Sequence, residues 1–208
     1  SVHVEGAIKY FIVGAVTSAV MLFGLALLMG ATGTTHIQEI RAFFAASQTG
    51  HGPMAFAGLL LTLSGFFFKL ALFPFHVWAP DVYAASSNQV TAYIATATKA
   101  AAVAVLMRYA SLGAESVPLV HVLSALAIAS MTFGNLVAIV QKDMKRLLAY
   151  SAIAHAGYVL LGILSMTENG YAAAIFYALA YLTMTFICFV VVVKVASAGN
   201  DLEIAGLA

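Results

Sequence analysis

Six stretches of this chain, near residues 8–30, 54–75, 90–112, 118–140, 147–166 and 171–195, are long runs of apolar residues with few charges. Crossing the hydrocarbon of a bilayer takes about 20 helical residues, so each run is long enough to span. Strands are excluded there, because an open strand edge in lipid leaves backbone amides and carbonyls without partners. The sequence therefore predicts an all-α fold, a polytopic transmembrane helix bundle. Composition agrees: 63% of residues are hydrophobic and 8% charged, against roughly 45–50% and 25% in a soluble domain. The lipid bilayer is the first partner to expect.

The punctuation between runs fits this reading. Gly30-Ala-Thr-Gly33 ends the first, Pro74 and Pro80 bracket the exit of the second, and Pro118 opens the fourth. Glu168-Asn169-Gly170 is expected to turn the chain between the fifth and sixth. Over 34–48, Ile37, Ile40, Phe43 and Phe44 recur at near-helical spacing beside Gln38, Glu39 and Arg41. That pattern predicts a short amphipathic helix lying in the membrane interface. The chain opens Ser-Val-His without an initiator Met and reads as a segment of something longer, a truncated transmembrane domain over residues 1–208.

Several function classes are set aside by what the chain carries. A net charge of +1 with no basic stripe gives no support for nucleic acid as a partner. The one cysteine, Cys188, lies in an apolar run and offers no disulfide framework or metal-ligand spacing. No Rossmann glycines or iron–sulfur cysteines occur, so redox chemistry is expected elsewhere. Orientation follows from the loops. With six spans, Lys9, Lys142, Lys145, Arg146 and Lys194 share one side, and Arg41 and Arg108 the other. The positive-inside rule makes the richer side cytoplasmic, and both ends of the chain are expected there.

The informative residues are those that do not belong in lipid. Lys69 lies in Ser64-Gly-Phe-Phe-Phe-Lys-Leu-Ala-Leu-Phe-Pro74, and Lys99 lies among small residues in Tyr93-Ile-Ala-Thr-Ala-Thr-Lys-Ala-Ala-Ala-Val103. A lysine near the bilayer centre costs roughly 2.5–3.5 kcal/mol on insertion scales. Either its stem snorkels to the interface, or its amine loads and unloads a proton inside the bundle. Ser151, His155 and Tyr158 fall at i, i+4 and i+7, on one helix face. Such a stripe serves as glue between helices or as a proton path in which imidazole takes part. Lys145 and Arg146 read as anchors at the cytoplasmic edge, Glu5 and Lys9 as an i, i+4 ion pair, and His76, beside Trp78, as a member of the interfacial aromatic belt.

These same residues carry a family resemblance. Gly65-Phe-Phe-Phe-Lys69-Leu-Ala-Leu-Phe-Pro-Phe-His76-Val-Trp-Ala-Pro-Asp81-Val-Tyr83, Ala95-Thr-Ala-Thr-Lys99, Gly134-Asn-Leu and Lys145-Arg-Leu-Leu-Ala-Tyr-Ser-Ala-Ile-Ala-His155-Ala-Gly-Tyr158 stand in that order. Together they resemble subunit N of NADH–quinone oxidoreductase, respiratory complex I, across essentially the whole chain. The resemblance implies an antiporter-like subunit built from inverted repeats, each with a broken helix, of which these spans look like the sixth to eleventh. It implies a proton pathway through Lys69, Lys99, His155, Tyr158 and Glu5, with no catalytic, cofactor-binding or metal site on the chain. It also implies a bacterial inner-membrane location. NADH, FMN, iron–sulfur clusters and quinone would sit on partner subunits, beside antiporter-like neighbours in the same membrane. A buried glutamate that pairs with Lys69 would precede this stretch. One departure is that Ala84-Ala-Ser-Ser-Asn-Gln-Val90 lacks the two prolines usual in the family, which predicts a less kinked entry to the third span and allows it to begin before residue 90. A subunit of a cation/proton antiporter or membrane-bound hydrogenase is the nearest alternative, and a structural membrane scaffold is the other.

Overall fold

The computed structural model describes residues 2–46, 52–113, 117–197 and 204. The elements in order are α1 (Val2–Thr32), α2 (Ile37–Ala46), α3 (Pro53–Leu70), α4 (Trp78–Ala85), α5 (Asn88–Ala95), α6 (Ala97–Ala110), a single 3₁₀ turn (Ser111–Gly113), α7 (Val117–Ile139), α8 (Met144–Leu164) and α9 (Glu168–Ser197). No strand occurs among the described residues. Among the described residues, six helical segments are long and apolar enough to cross a membrane: His3–Thr32, Pro53–Leu70, Asn88–Gly113, Pro118–Ile139, Met144–Leu164 and Glu168–Ala196. The all-α membrane fold expected from the sequence is the fold observed.

Local chemistry sets the ends. Gly33 adopts φ +73 and its amide closes on Met29 O at 2.8 Å, the left-handed stop that favours glycine after a helix. The 31 residues of α1 rise about 46 Å, more than the roughly 30 Å of hydrocarbon, so this helix projects beyond the core or tilts. The second span stops at Leu70 rather than near 75. Pro74 supplies no amide and holds Phe73 out of the helical region, and the chain leaves the helix through Ala71 in the left-handed conformation (φ 58, ψ 40). The turn between the last two spans is Ser165–Thr167, with Met166 at φ 50. Glu168, Asn169 and Gly170 already form the first turn of α9, where an acidic residue suits the helix dipole. In α2, Ile40 and Phe44 are buried and Gln38, Glu39 and Arg41 exposed. It is the amphipathic helix expected over 34–48, seen here over 37–46; residues 47 and 48 lie outside the described residues.

The helices pack in pairs, α1 along α3 and α7 along α8, with α9 against α8 and α5. Glycines make the first pairing close. A Cβ at Gly24 would stand 2.4 Å from Thr62 N, and one at Gly58 would stand 2.8 Å from Leu28 N. Small residues that let helix backbones touch replace the hydrophobic drive that lipid does not supply. The outer faces stay apolar, with Phe11, Phe23, Phe176 and Phe186 exposed. At one end of the bundle His3 Nδ1 meets Ala85 O at 2.5 Å, Lys145 Nζ donates to Ser86 O at 2.9 Å, and Ile204 N donates to Lys142 O at 2.8 Å. The two ends of the chain and the 81–86 and 142–146 segments thus share one side. The α2 helix packs against the 111–113 turn.

Candidate proton-transfer site

Two interruptions shape the interior. The first separates α3 from α4. The amides of Ala71 and Leu72 close on Phe68 O (3.0 Å) and Phe67 O (2.9 Å), the Trp78 indole donates to Phe68 O at 3.0 Å, and Phe73 N donates to Ser130 Oγ of α7 at 2.9 Å. Backbone groups freed by a break at membrane depth need such partners. Pro80 is tolerated in the first turn of α4 because amides there lack intrahelical acceptors. The second interruption, at Thr96 (φ −116, ψ −77), divides α5 from α6. The Thr96 amide turns to Tyr93 O at 3.3 Å, and its hydroxyl takes Ala92 O at 2.6 Å in place of the lost amide bond. Thr98 Oγ donates likewise to Ile94 O at 2.8 Å. The third span begins at Asn88, before residue 90 as the missing prolines allow, and it is interrupted at Thr96, within the span rather than at its entry.

Lys99 lies one turn past that interruption and is only 4% exposed. Its Nζ has no acceptor within hydrogen-bond distance among the described residues, so it does not snorkel to the interface. It lines a cavity of about 20 Å³ together with Leu70, Val103, His155, Tyr181 and Leu182, room for about one water molecule. His155 is held on its other side. Its Nδ1 pairs with the Tyr177 hydroxyl at 2.7 Å, and Tyr181 stacks on its ring at 4.1 Å between centroids. Tyr158 turns elsewhere: its hydroxyl accepts from Asn135 Nδ2 at 2.9 Å, and its ring meets His155 only edge-on at 5.4 Å.

The expected site residues therefore fall in four places, one of them the Asn135 side to which Tyr158 turns. Lys99 and His155 share the cavity. Lys69, in the last turn of α3, faces α1 instead, donating to Tyr10 OH at 3.1 Å with Nζ 5.5 Å from the Tyr10 ring centroid and 5.6 Å from that of Phe68. The residue after it, Leu70, is the one that reaches the Lys99 cavity. Glu5 sits at the rim in an ion pair with Lys9 at 2.7 Å, and it does not line the cavity. Lys9 also meets Asp81 at 2.5 Å, and Asp81 meets Arg146 at 3.2 Å. Asp81 thus joins α4 to α1 and α8, a role not read from the sequence. His76 is not a belt residue: it is buried, stacked on Phe73 at 5.3 Å and packed on Phe133 at 4.6 Å. Lys145, expected as an anchor, is buried, and its anchorage is the bond to Ser86 O. Tyr177 and Tyr181 were missed. Their spacing with Thr185, at i, i+4 and i+8 in an otherwise apolar helix, is the same signal that singled out Ser151, His155 and Tyr158. Among the described residues, no group of three or more His, Cys, Asp or Glu side chains is placed to hold a metal ion.

An all-helical membrane bundle with a broken span and a lysine buried beside a histidine belongs to the class of multi-pass membrane subunits with ionisable groups in their interior. The chain is a member of the NADH:quinone oxidoreductase/Mrp antiporter transmembrane family, which matches residues 1–205. It is 57% identical over 205 residues to NADH-quinone oxidoreductase subunit N 2 of Syntrophobacter fumaroxidans, covering 98% of this chain and 43% of that protein. Among solved structures it is similar to a chain of respiratory complex I from Thermus thermophilus (TM-score 0.76, 42% identity, covering 90% of this chain and 40% of the other). It is also similar to a chain of the Mrp complex from a Dietzia species (TM-score 0.85, 26% identity, covering 94% and 36%). The fold is common to both complexes, while sequence identity favours subunit N, as the motif resemblance implied. The chain spans about two fifths of the length of the curated relatives it matches. With this family and six apolar helices, it is a multi-pass membrane protein of the bacterial inner-membrane kind.

Proposed function

We propose that the chain is the central part of a proton-translocating subunit of NADH–quinone oxidoreductase, with NADH, FMN, iron–sulfur clusters and quinone handled by partner subunits. The observation that supports this most directly is Lys99, buried with no acceptor for its amine among the described residues and sharing a water-sized cavity with His155. A lasting charge in such a place is costly unless something meets it. An amine that binds and passes on a proton resolves that conflict, with a water or the imidazole as the next carrier. Lys69 is a separate station on the α1 face, where a carboxylate from the rest of the full subunit would be its counter-charge. The Glu5–Lys9–Asp81–Arg146 cluster forms the rim on the same side as both ends of the chain.

The test is Lys99→Ala in the full-length subunit within the assembled complex. Proton uptake by vesicles oxidising NADH should fall about 10²-fold or to background, the scale of a lost acid–base group, while the amount of assembled complex is unchanged. Normal pumping would leave the scaffold reading standing and end this one.

The rim is proposed to face the cytoplasm, from the five-to-two Lys/Arg bias between the two sides. With Cys188 replaced by Ser, a cysteine at the exposed Ser87 should react with an impermeant reagent from the cytoplasmic side. One at the exposed Asn169 should react from the opposite side. The reverse pattern would invert the topology.

A further inference from the structure

Resting on that reading, we infer that Tyr177 is the residue through which His155 hands on the proton, and that Tyr158 is not. The inference comes from how the imidazole is held. Its Nδ1 is engaged by the Tyr177 hydroxyl at 2.7 Å, which leaves Nε2 as the nitrogen available to the Lys99 cavity that the ring lines. The Tyr181 ring, nearly parallel at 19° and 4.1 Å away, fixes the imidazole plane between the two. Tyr181 meets the imidazole with its ring face, and its hydroxyl lies toward Ser151 and Thr185. Tyr158 presents only a ring edge to His155 and has its hydroxyl on Asn135. Tyr177 is half-buried, whereas Tyr181 is buried, so the pair His155–Tyr177 leads from the cavity toward the outer face of α9.

The step balances without a further reagent. A proton from the Lys99 ammonium, carried directly or over one water, bonds to Nε2 of neutral His155. The Nδ1–H bond then breaks as that proton passes to the Tyr177 oxygen. The former Tyr177 hydroxyl proton leaves to a water beside that hydroxyl. One proton has moved, the Lys99 amine is free, and the imidazole carries its proton on Nε2. Passing back to the Nδ1–H tautomer readies it for the next transfer. Imidazole is suited to this because its two nitrogens accept and release on opposite sides.

The experiment uses the full subunit in the assembled complex, with NADH-driven proton uptake measured per assembled complex in vesicles. Tyr177→Phe keeps the ring and removes only the hydroxyl. A positioned acid–base group is worth about 10²–10⁴-fold; water can take part of the place of a hydroxyl, so a loss on the order of tenfold is expected. Tyr171→Phe, on the same helix with its hydroxyl on the Met166 sulfur, should pump at the unaltered rate. A merely structural role for Tyr177 would lower the amount of assembled complex instead of the rate per complex. If Tyr177→Phe does not assemble, Tyr177→Met takes its place in the same measurement. Unaltered pumping by the assembled variant, with Lys99→Ala defective, overturns the Tyr177 route and leaves the proposed function standing. Unaltered pumping by both removes the proposed function itself. An equal loss in Tyr171→Phe also overturns the route, since the effect would then belong to α9 as a whole.

Discussion

Replacing Lys99 by Met and by Arg is expected to move stability in opposite directions and pumping in the same one. Met keeps the unbranched stem and places a thioether among Val103, Leu182 and the rings of His155 and Tyr181. It removes a buried amine that has no acceptor among the described residues, a group whose desolvation costs about 1–3 kcal/mol, so the folded complex should gain roughly that much. Arg brings a planar group with five donors that stays charged at any working pH. A cavity of about 20 Å³ cannot take it without displacing neighbours, at a cost of about 1–3 kcal/mol. Neither side chain can release a proton, and both variants should lose proton uptake to the extent Lys99→Ala does. Thermal denaturation of the purified complex and uptake in vesicles measure the two effects separately. An Arg variant that pumps at the normal rate would show that the position needs a fixed charge and not a titrating one. A Met variant less stable than the unaltered protein would show that the amine has a partner in the full complex.

Gly58→Leu is expected to impair assembly severely. A Cβ at Gly58 would stand 2.8 Å from Leu28 N, 2.9 Å from Gly24 O and 3.1 Å from Leu27 Cβ. Two of these are backbone atoms of α1 and cannot turn aside as a side-chain tip would. The two helices must separate, and the close contact at Gly24 is lost with them. A cost of about 3 kcal/mol or more follows, at the upper end of overpacking penalties. Gly14→Ala on the same interface is the contrast, because its Cβ would meet only the Phe68 ring, at 3.4 Å. Quantifying assembled complex after mild extraction should show Gly58→Leu nearly absent and Gly14→Ala near normal. Comparable yields would mean that α1 and α3 are not held by this contact.

The helical content and the six spans were legible because lipid leaves a chain one local solution, and run length reports it directly. Lys69, Lys99 and His155 stood out for the same reason, as groups whose placement in lipid demands an explanation. Which of them meet was not legible. Lys69 and Lys99 look like consecutive stations in the sequence, but Lys69 faces Tyr10 while Lys99 faces His155, and that divergence depends on where α3 stops and on the Thr96 interruption. The interruption itself has only a faint signature, since Thr96 and Thr98 are also found in unbroken helices. The two cationic partners of Asp81, Lys9 and Arg146, are distant in sequence and are joined only by the packing of α4 between α1 and α8. His76 was misread because proximity to Trp78 suggested an interface, where the fold instead closes Phe73 and Phe133 over it.

The two interruptions differ as mechanical parts. The one between α3 and α4 is bolted from two sides, by the Trp78 indole on Phe68 O and by Ser130 of α7 on the Phe73 amide. The bonds described at Thr96 all run within its own span, to Tyr93, Ala92, Lys99 and Ala100. A bend at the first must drag α7 with it, whereas a bend at the second disturbs only local bonds that a hydroxyl can remake. The first is a fulcrum and the second a compliant joint, one turn from Lys99. Any working stroke that carries the Lys99 amine toward or away from the His155 cavity has its least resistance at Thr96, with the α3–α4 corner as the fixed bearing against which α6 turns.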